Sequence, residues 1–581
     1  MLAACGVHSL STEVASRRLR SVQSPTSASG RRRSWVQVPR SPDAPEEKQR
    51  KEVARVRVLS YNVLGPKQAM TSKHNYCPQS LRKWRGRSKR LEDEIRKYHE
   101  SEEGGLHAVC LQEVTPKTLQ GNWVPFMKKI GLDGHVYQPK GFAGRYASHN
   151  CLGVAIFFSQ THFEMTMGTR VFFPREVERL REDGNSQAAV EPIQPLEGED
   201  VRNDETRVGA ATAAASAKET GASSRLESDL SMLNDGAVIL RLRIRDPKTE
   251  SSGETDGQAS LRRPSVTLVC CHLWYNPLRP DLKTAQCGML FGAIKRFHES
   301  CGCAAAPPRE SARDDGDGNA DDGGSSFRPA AEGWSTGEAS NLIVCGDFNA
   351  VPMLQPEFLP GTLKVAAEEA CSTSDRERQE GSAEILPPGF ASLRTTKYPS
   401  QLASSSGVYA LLKYGHVPSE HPDHPDAFIP ELMAKESTLR ARYPGRQKIG
   451  GKFGASPSLR SRAGPELSHL PVGEWTTGYG SMLEDVYGNR GDAVPLLTTR
   501  TGDFTGIIDH MFVSSGERGG PTVRSFLRLP PGADVGSVRS AASGLPGITR
   551  ESGRERIDFG PIPDVEFGSD HLALGVELSL Y

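Results

Sequence analysis

The chain has 581 residues, and its 71 Lys and Arg balance its 71 Asp and Glu. That balance excludes a strong overall field drawing the whole chain to nucleic acid or to an anionic membrane, and leaves open only a local basic groove. Hydrophobic residues make up 36% beside 58 Gly and 40 Pro, so one core interrupted by polar insertions is expected.

The eleven cysteines are scattered, with neither zinc-type spacing nor a disulfide framework, which suits a reducing compartment. No apolar stretch is long enough to span a bilayer, so no membrane partner is expected. Residues 1–52 read as a basic leader. Up to Pro42 it carries seven arginines (Arg17, Arg18, Arg20, Arg31, Arg32, Arg33, Arg40) and one acid, Glu13, among many serines. A disordered tail and an organelle transit peptide both fit that composition, so the expected location is cytoplasmic or mitochondrial.

From residue 53 the pattern is that of a folded domain running to 581. "RVRVLSYNVL" (55–64) alternates β-branched and polar residues and predicts a strand. Between 81 and 99, Leu81, Trp84, Leu91, Ile95 and Tyr98 recur at near-helical spacing and predict one amphipathic helix. Its basic residues are a solvated face more often than a nucleic-acid surface. "HAVCLQEV" (107–114), "LGVAIFF" (152–158), "AVILRLRI" (237–244) and "SVTLVCCHL" (265–273) predict further strands, followed by a helix at about 281–298. "NLIVCGDF", "GIIDHMFV" (506–513) and "LALGVELSL" (572–580) complete the set. Polar insertions, expected to be disordered, fall at about 184–232, 246–264, 300–339, 430–475 and 515–560. The acidic stretch "DDGDGNADDGG" (314–324) lacks the glycine and the terminal glutamate of a calcium loop, and reads as a solvated loop. No internal repeat is visible, and in particular no leucine-rich repeat.

The chemistry lies where the strands end. Asn62 follows the first strand and Glu113 ends the second. His272 closes "TLVCCH", and Asp347 and Asn349 follow "LIVCG". Asp509 interrupts "GIIDHMFV", and Asp570 and His571 precede the last strand. Any one of these alone is more simply a cap or a satisfied polar group at a strand end. Such a series in order, on strands of one sheet pair, would converge on one cleft. Carboxylates of Glu113, Asp347 or Asp570 suit a hard cation that prefers oxygen ligands. Histidines suit the phosphate, and an Asp beside a His fixes its tautomer. This combination supports metal-assisted phosphodiester hydrolysis. No phosphate-cradling glycine loop or serine elbow offers another route.

"SYNVL", "LQEV", "CHL", "CGDFNAVP", "IIDHMF" and "GSDHLAL", in that order, resemble the endonuclease/exonuclease/phosphatase superfamily. "YCPQSLRKWRGRSKRLEDEIRKY", "HLWYNPLRPDLKTAQ" and "YGHVPSEHPD" (414–423) resemble its CCR4/nocturnin/Angel deadenylase branch. The resemblance implies an α/β fold, a four-layer sandwich of two packed mixed β-sheets flanked by helices. It implies Glu113 as principal metal ligand, with Asp347 and Asp570 as further acids of the metal shell. Asn62 and Asn349 would touch the scissile phosphate or that shell. Asp347 would activate water, His272 and His571 would bind phosphate, and Asp509 would orient His571. Pro277 and Phe504 match positions that contact an adenine base. The chain departs from the branch at Leu152, where an Asp is usual, and at His510, where a Tyr is usual.

The resemblance implies a Mg²⁺-dependent 3′→5′ exoribonuclease acting on poly(A) RNA, with Mn²⁺ as the alternative ion. A phosphatase or phosphodiesterase on NADP(H), 2′,5′-oligoadenylate or 2′,3′-cyclic ends is the second reading. A catalytically silent RNA-binding scaffold is the third, and retention of every acid and histidine argues against it. Without leucine-rich repeats, docking to a protein complex in the CCR4 manner has no module here, and protein partners stay open.

Overall fold

The computed structural model describes residues 33–38, 52–101, 104–140, 151–182, 229–231, 233, 235–245, 263–277, 279–301, 341–352, 405–419, 421–425, 475–476, 483–487, 498–501, 505–514, 521–528, 550–551, 554–555, 562–564 and 567–581. Strands β1 (Trp35–Gln37), β2 (Ala54–Asn62), β3 (Ala108–Gln112), β4 (Gly134–Pro139) and β5 (Gly153–Phe158) come first. They are followed by β6 (Phe163–Phe172), β7 (Gly236–Ile244), β8 (Ser265–His272) and β9 (Leu342–Asp347). Next come β10 (His416–Val417), β11 (Trp475–Thr476), β12 (Leu483–Asp485), β13 (Thr499–Arg500) and β14 (Thr505–Gly506). The chain closes with β15 (Asp509–Ser514), β16 (Thr522–Leu527), β17 (Arg550–Glu551), β18 (Arg554–Glu555) and β19 (Leu574–Leu580).

Two sheets hold the domain. One runs β1-β16-β19-β2-β3-β5-β4 and the other β12-β15-β9-β8-β7-β6. Each contains one parallel pair, β2 with β3 and β8 with β9, and its other neighbours are antiparallel. Side chains alternate across a strand, so every second residue faces the partner sheet. Val56 and Val58, Ala108 and Cys110, Leu268 and Cys270, Ile343 and Cys345, and Met511 and Val513 meet there in one buried cluster. The opposite face of the first sheet carries Leu59, Tyr61, Val109 and Leu111. It packs against Leu91, Ile95 and Tyr98 of the helix Trp84–Glu100. The outer face of the second sheet carries Val269, Cys271, Val344 and Phe512. Helices Phe173–Glu182, Pro280–Ser300 and Gly407–Tyr414 cover it. Helix, sheet, sheet, helix: the expected four-layer α/β sandwich is the observed one.

The differences from the sequence reading are local. The single helix expected over 81–99 is two, Gln79–Arg82 and Trp84–Glu100, because Lys83 between them is extended at ψ 133°. In "GIIDHMFV" the main strand starts only at Asp509. Within the stretch 515–560 assigned to an insertion, β16 takes a place beside β19. Within the stretch 1–52 assigned to the leader, β1 pairs with β16, Trp35 opposite Leu527. These short strands escape a periodicity reading because three to six residues carry too few repeats of the period. The acidic stretch 314–324 lies outside the described residues.

Trp35 is buried, and Arg33 beside it donates to the Arg528 carbonyl at 2.9 Å, to the Tyr98 hydroxyl at 3.2 Å and to the Ala573 carbonyl. The end of the leader is therefore part of the core. A truncation starting at residue 33 should match the full chain in urea unfolding. One starting at residue 39 removes a buried Trp and should lose on the order of 3–5 kcal/mol. Equal midpoints for the two truncations would contradict this packing.

Candidate active site

The alternation that buries apolar side chains between the sheets also delivers the polar ones. Asn62 lies on the inward face with Val56 and Val58, and His272 with Leu268 and Cys270. Asp347 lies with Ile343 and Cys345, and Asp509 with Met511 and Val513. β2, β8 and β9 end at one edge of the sandwich and β15 begins there. His272 and Asp509 both stand opposite Asp347 in the ladder. Four inward-facing polar side chains thus meet at one rim.

Asp347 is the hub. Asn62 Nδ2 donates to its Oδ2 at 2.9 Å, joining the two sheets, and the Asn349 backbone N–H donates to its Oδ1 at 2.9 Å. His272 Nε2 lies 3.5 Å and His571 Nε2 3.8 Å from the same Oδ2. Burial, then the neighbouring Asp509 carboxylate, push the Asp347 carboxyl up to about 7. The preceding Gly346 has no alternative: at φ 148° a Cβ there would sit 2.1 Å from the Cys271 carbonyl oxygen.

His571 faces Asp509, its Nδ1 at 2.9 Å from Oδ2 and 3.1 Å from Oδ1. Thr499, paired with His571 in an isolated bridge, places Oγ1 2.9 Å from the same Nδ1 and 3.3 Å from Asp509 Oδ2. Burial depresses this imidazole, but Asp509, Asp570 and Asp347 outweigh it and hold the pKa well above 6.5. These carboxylates favour the imidazolium form of His571. His272 is the opposite case. Burial, then Lys140 and His571, hold it well below 6.5, so it stays neutral. The facing carboxylate favours the proton on its Nε2.

Glu113 follows β3 and is half-buried. Its Oε2 accepts from the Gly65 N–H at 2.7 Å and its Oε1 from Asn62 Nδ2 at 3.3 Å. Asp570 is buried with Oδ1 lacking a hydrogen-bond partner, 3.7 Å from His571 Nε2. Its Oδ2 lies 3.7 Å from His74 Nε2. Asp347, Asp509 and His571 bring their ligand atoms within 4.8 Å of one another, close enough for a divalent cation. Yet Asp509 and His571 are already engaged with each other and with Thr499. Glu113 and the orphaned Asp570 oxygen have the free donor capacity. Their all-oxygen chemistry fits a hard ion, with Asp347 at the border between the two sets.

Backbone strain concentrates here. Among the described residues, the non-glycine positions with positive φ are Leu64 (50°), Glu113 (60°) and Asn349 (50°). Each follows a strand that ends at the site. Such positions persist only where their surroundings over-determine them. Arg87, fully buried, donates Nη1 to the carbonyls of Val63 at 3.1 Å and Gly568 at 2.7 Å, and Nη2 to that of Leu64. Lys283 Nζ donates to the Asn349 carbonyl at 2.7 Å. Asn349 Nδ2 donates to the Leu273 carbonyl at 3.0 Å, so this amide ties two loops together and points its donor away from Asp347. Gln286 Oε1 accepts from the Trp274 N–H at 2.8 Å.

Of the residues singled out in the sequence, Asn62, Glu113, His272, Asp347, Asp509, Asp570 and His571 are thus brought together, with Asn349 adjoining. Pro277 stands exposed in the turn beyond His272, and Phe504 lies outside the described residues. Of the two departures, His510 is on the outer face. Its Nε2 lies 2.6 Å from the Ala350 carbonyl oxygen and its ring packs near Phe348, Tyr409 and Phe512. It is part of the packing, away from the inward-facing cluster. Leu152 lies against Gly65, on the loop that holds Glu113. His74, Arg87, Lys283 and Thr499 were not anticipated. His74 and Arg87 lie on a short helical turn and a helix, Lys283 lies in the D-x-K-x-x-Q spacing of the helix Pro280–Ser300, and Thr499 lies in the two-residue β13; no periodic signal marks their roles.

No protein-family model matches the chain. A segment of 111 residues, 19% of the chain, is 32% identical to the CCR4-Not complex 3′-5′-exoribonuclease subunit Ccr4 of Saccharomyces cerevisiae. It spans only 12% of that relative's length. Among solved structures, ANGEL2, described as a 2′,3′-cyclic phosphatase and bound to adenosine-2′,3′-vanadate, is 16% identical with a TM-score of 0.45, covering 94% of this chain and 99% of that one. The human Nocturnin catalytic domain with a bound sulfate anion is 13% identical with a TM-score of 0.38, covering 95% and 97%. The Ccr4 segment bears out the resemblance that the motifs carry, to the CCR4/nocturnin/Angel branch of the endonuclease/exonuclease/phosphatase superfamily.

Two measurements check this geometry. In an NMR titration His571 should stay protonated through pH 7, and Asp509→Asn should bring its pKa down. A raised histidine pKa stabilises the fold fully below its unfolded value near 6.5, and that stabilisation is lost as pH rises through the folded value. The second is Arg87→Met, which strands three buried carbonyls and should cost about 3 kcal/mol or more in urea unfolding. Loss of under about 0.5 kcal/mol would contradict that role.

Proposed function

We propose that this chain is a divalent-metal-dependent phosphodiesterase that shortens poly(A) RNA from its 3′ end. The observation that carries the hydrolytic part is the buried Asp347. Three side chains from three strand ends, Asn62, His272 and His571, converge on its one oxygen. Poly(A) as substrate is supported more thinly, by the branch resemblance and the short segment shared with the yeast exoribonuclease subunit.

The residues divide the work by charge state. Asp347, with its pKa raised to about 7, is the base that takes a proton from the attacking water. His571, cationic and steered by Asp509, faces the phosphate oxygens where negative charge accumulates. Neutral His272 donates a hydrogen bond without competing for that proton. Asn62 holds the Asp347 carboxylate still through a 2.9 Å bond. Glu113 and Asp570 would hold Mg²⁺, or Mn²⁺ in its place. That ion would neutralise phosphate charge and stabilise the leaving oxygen.

Glu113→Gln should keep the thermal midpoint and lose most activity at every Mg²⁺ concentration, and chelation of the wild type by EDTA should reproduce the loss. Full activity of the variant at saturating Mg²⁺ would remove Glu113 from the metal shell. For substrate, the purified protein with Mg²⁺ is offered 5′-labelled poly(A), mixed-sequence RNA, 2′,3′-cyclic RNA ends and NADP. Stepwise shortening of poly(A) ahead of mixed RNA is expected. Release of phosphate from NADP or opening of cyclic ends, with every RNA left full length, would move the chain to the small-phosphate reading. The rate should rise with pH as Asp347 loses its proton, with the inflection below 7 once a cation is bound beside it.

A further inference from the structure

Among the described residues the exposed large apolar side chains are Val53, Met70, Tyr76 and Tyr275. Val53 precedes β2, at the far end of that strand from Asn62. The other three lie on two loops that flank the candidate site. Met70 and Tyr76 are on the segment after β2, and Tyr275 is on the turn after β8. Exposed apolar side chains scattered singly need no explanation. These are joined. Lys73 of the first loop places its ammonium 5.6 Å from the Tyr275 ring centroid on the second. The next residue, His74, lies 3.7 Å from Asp570, while Tyr275 follows His272 by three residues. The Lys73–Tyr275 contact therefore spans from the loop of one sheet to the loop of the other, beside the phosphate-binding groups.

We propose that Tyr275 is a stacking platform for a nucleobase of single-stranded nucleic acid, with Lys73 as the cation for that nucleotide's phosphate. Neither Tyr275 nor Lys73 is among the base contacts that the resemblance implies, and the proposal rests on the phosphodiesterase reading for its substrate class. Tyr275 is 44% exposed, so an aromatic side chain is available to a base at low entropic cost. Trp274 lies tilted against it at 4.7 Å between centroids, and the Trp274 backbone N–H donates to Gln286 Oε1. A subsite of this kind takes the nucleotide adjoining the one being cut, so it distinguishes an oligonucleotide from a single small phosphate.

The test measures binding, which does not require turnover. In full-length protein carrying Glu113→Gln, the affinity of a 5′-fluorescein adenosine hexamer is read by anisotropy. Adding Tyr275→Ala should weaken it about five- to 150-fold, the range for one stacked base. Tyr275→Trp should restore it, and Lys73→Ala should weaken it and flatten its salt dependence. Unchanged affinity in Tyr275→Ala, or a loss that Tyr275→Trp fails to restore while the melting point holds, would overturn the platform. Failure of the wild type to cut RNA while the Tyr275 effect on binding persists would instead overturn the proposed reaction and leave the subsite standing.

Discussion

The site depends on one hydrogen bond, from Asn62 of the first sheet to Asp347 of the second, at 2.9 Å. The sandwich is otherwise held by apolar contact, which is not directional and would tolerate small sliding of one sheet on the other. A buried carboxylate that must be satisfied does not tolerate it. Asp347 takes its donors from both sheets and from its own turn, so the bond fixes the register of the two sheets at the rim. The converging polar groups of both sheets inherit their spacing from that register.

Holding a carboxylate at this point has a cost, visible as positive φ at Leu64, Glu113 and Asn349. Two of the three strained positions, Leu64 and Asn349, adjoin a buried donor whose work is on the backbone. Arg87 takes the carbonyl of Leu64, and Lys283 takes that of Asn349. Burial lowers both cations, Arg87 to about 10 and Lys283 to about 8, against the pull of nearby carboxylates. They hold the loops through backbone carbonyls. The D-x-K-x-x-Q spacing of the helix Pro280–Ser300 acquires a physical meaning. Lys283 and Gln286, three apart, reach the loops after β9 and β8 from one helical face.

The sandwich and four of the converging polar residues, Asn62, His272, Asp347 and Asp509, were legible because one signal encoded both, whereas Glu113, Asp570 and His571 lie outside that alternation. Two-residue alternation marks the strand, and a polar residue in the inward phase at its end marks the site. Asn62 continues the phase of Val56 and Val58, as Asp347 continues that of Ile343 and Cys345. What was not legible lacks a period. β1 is three residues inside an arginine-rich stretch, and its partner β16 is far away in sequence. His74, Thr499 and Arg87 act through contacts that spacing does not encode. His510 shows the reverse failing. It adjoins Asp509 in sequence, yet the same alternation turns it to the opposite face of the sheet.

Strand direction explains why acids and histidines fall at ends in some motifs and at starts in others. In each sheet the two strands of the parallel pair run toward the rim, so β2, β3, β8 and β9 deliver their groups at or just past their last residues. The antiparallel neighbours β15 and β19 run away from it, so their groups must come first. Asp509 opens β15, and Asp570 and His571 precede β19. His571 would be out of reach at the far end of β19, and Asp347 would be out of reach at the start of β9. A cluster assembled from both kinds of position requires a parallel pair flanked by an antiparallel strand in each of two facing sheets, which is the arrangement found. The chemistry is thus confined to one rim by topology before any individual contact is made.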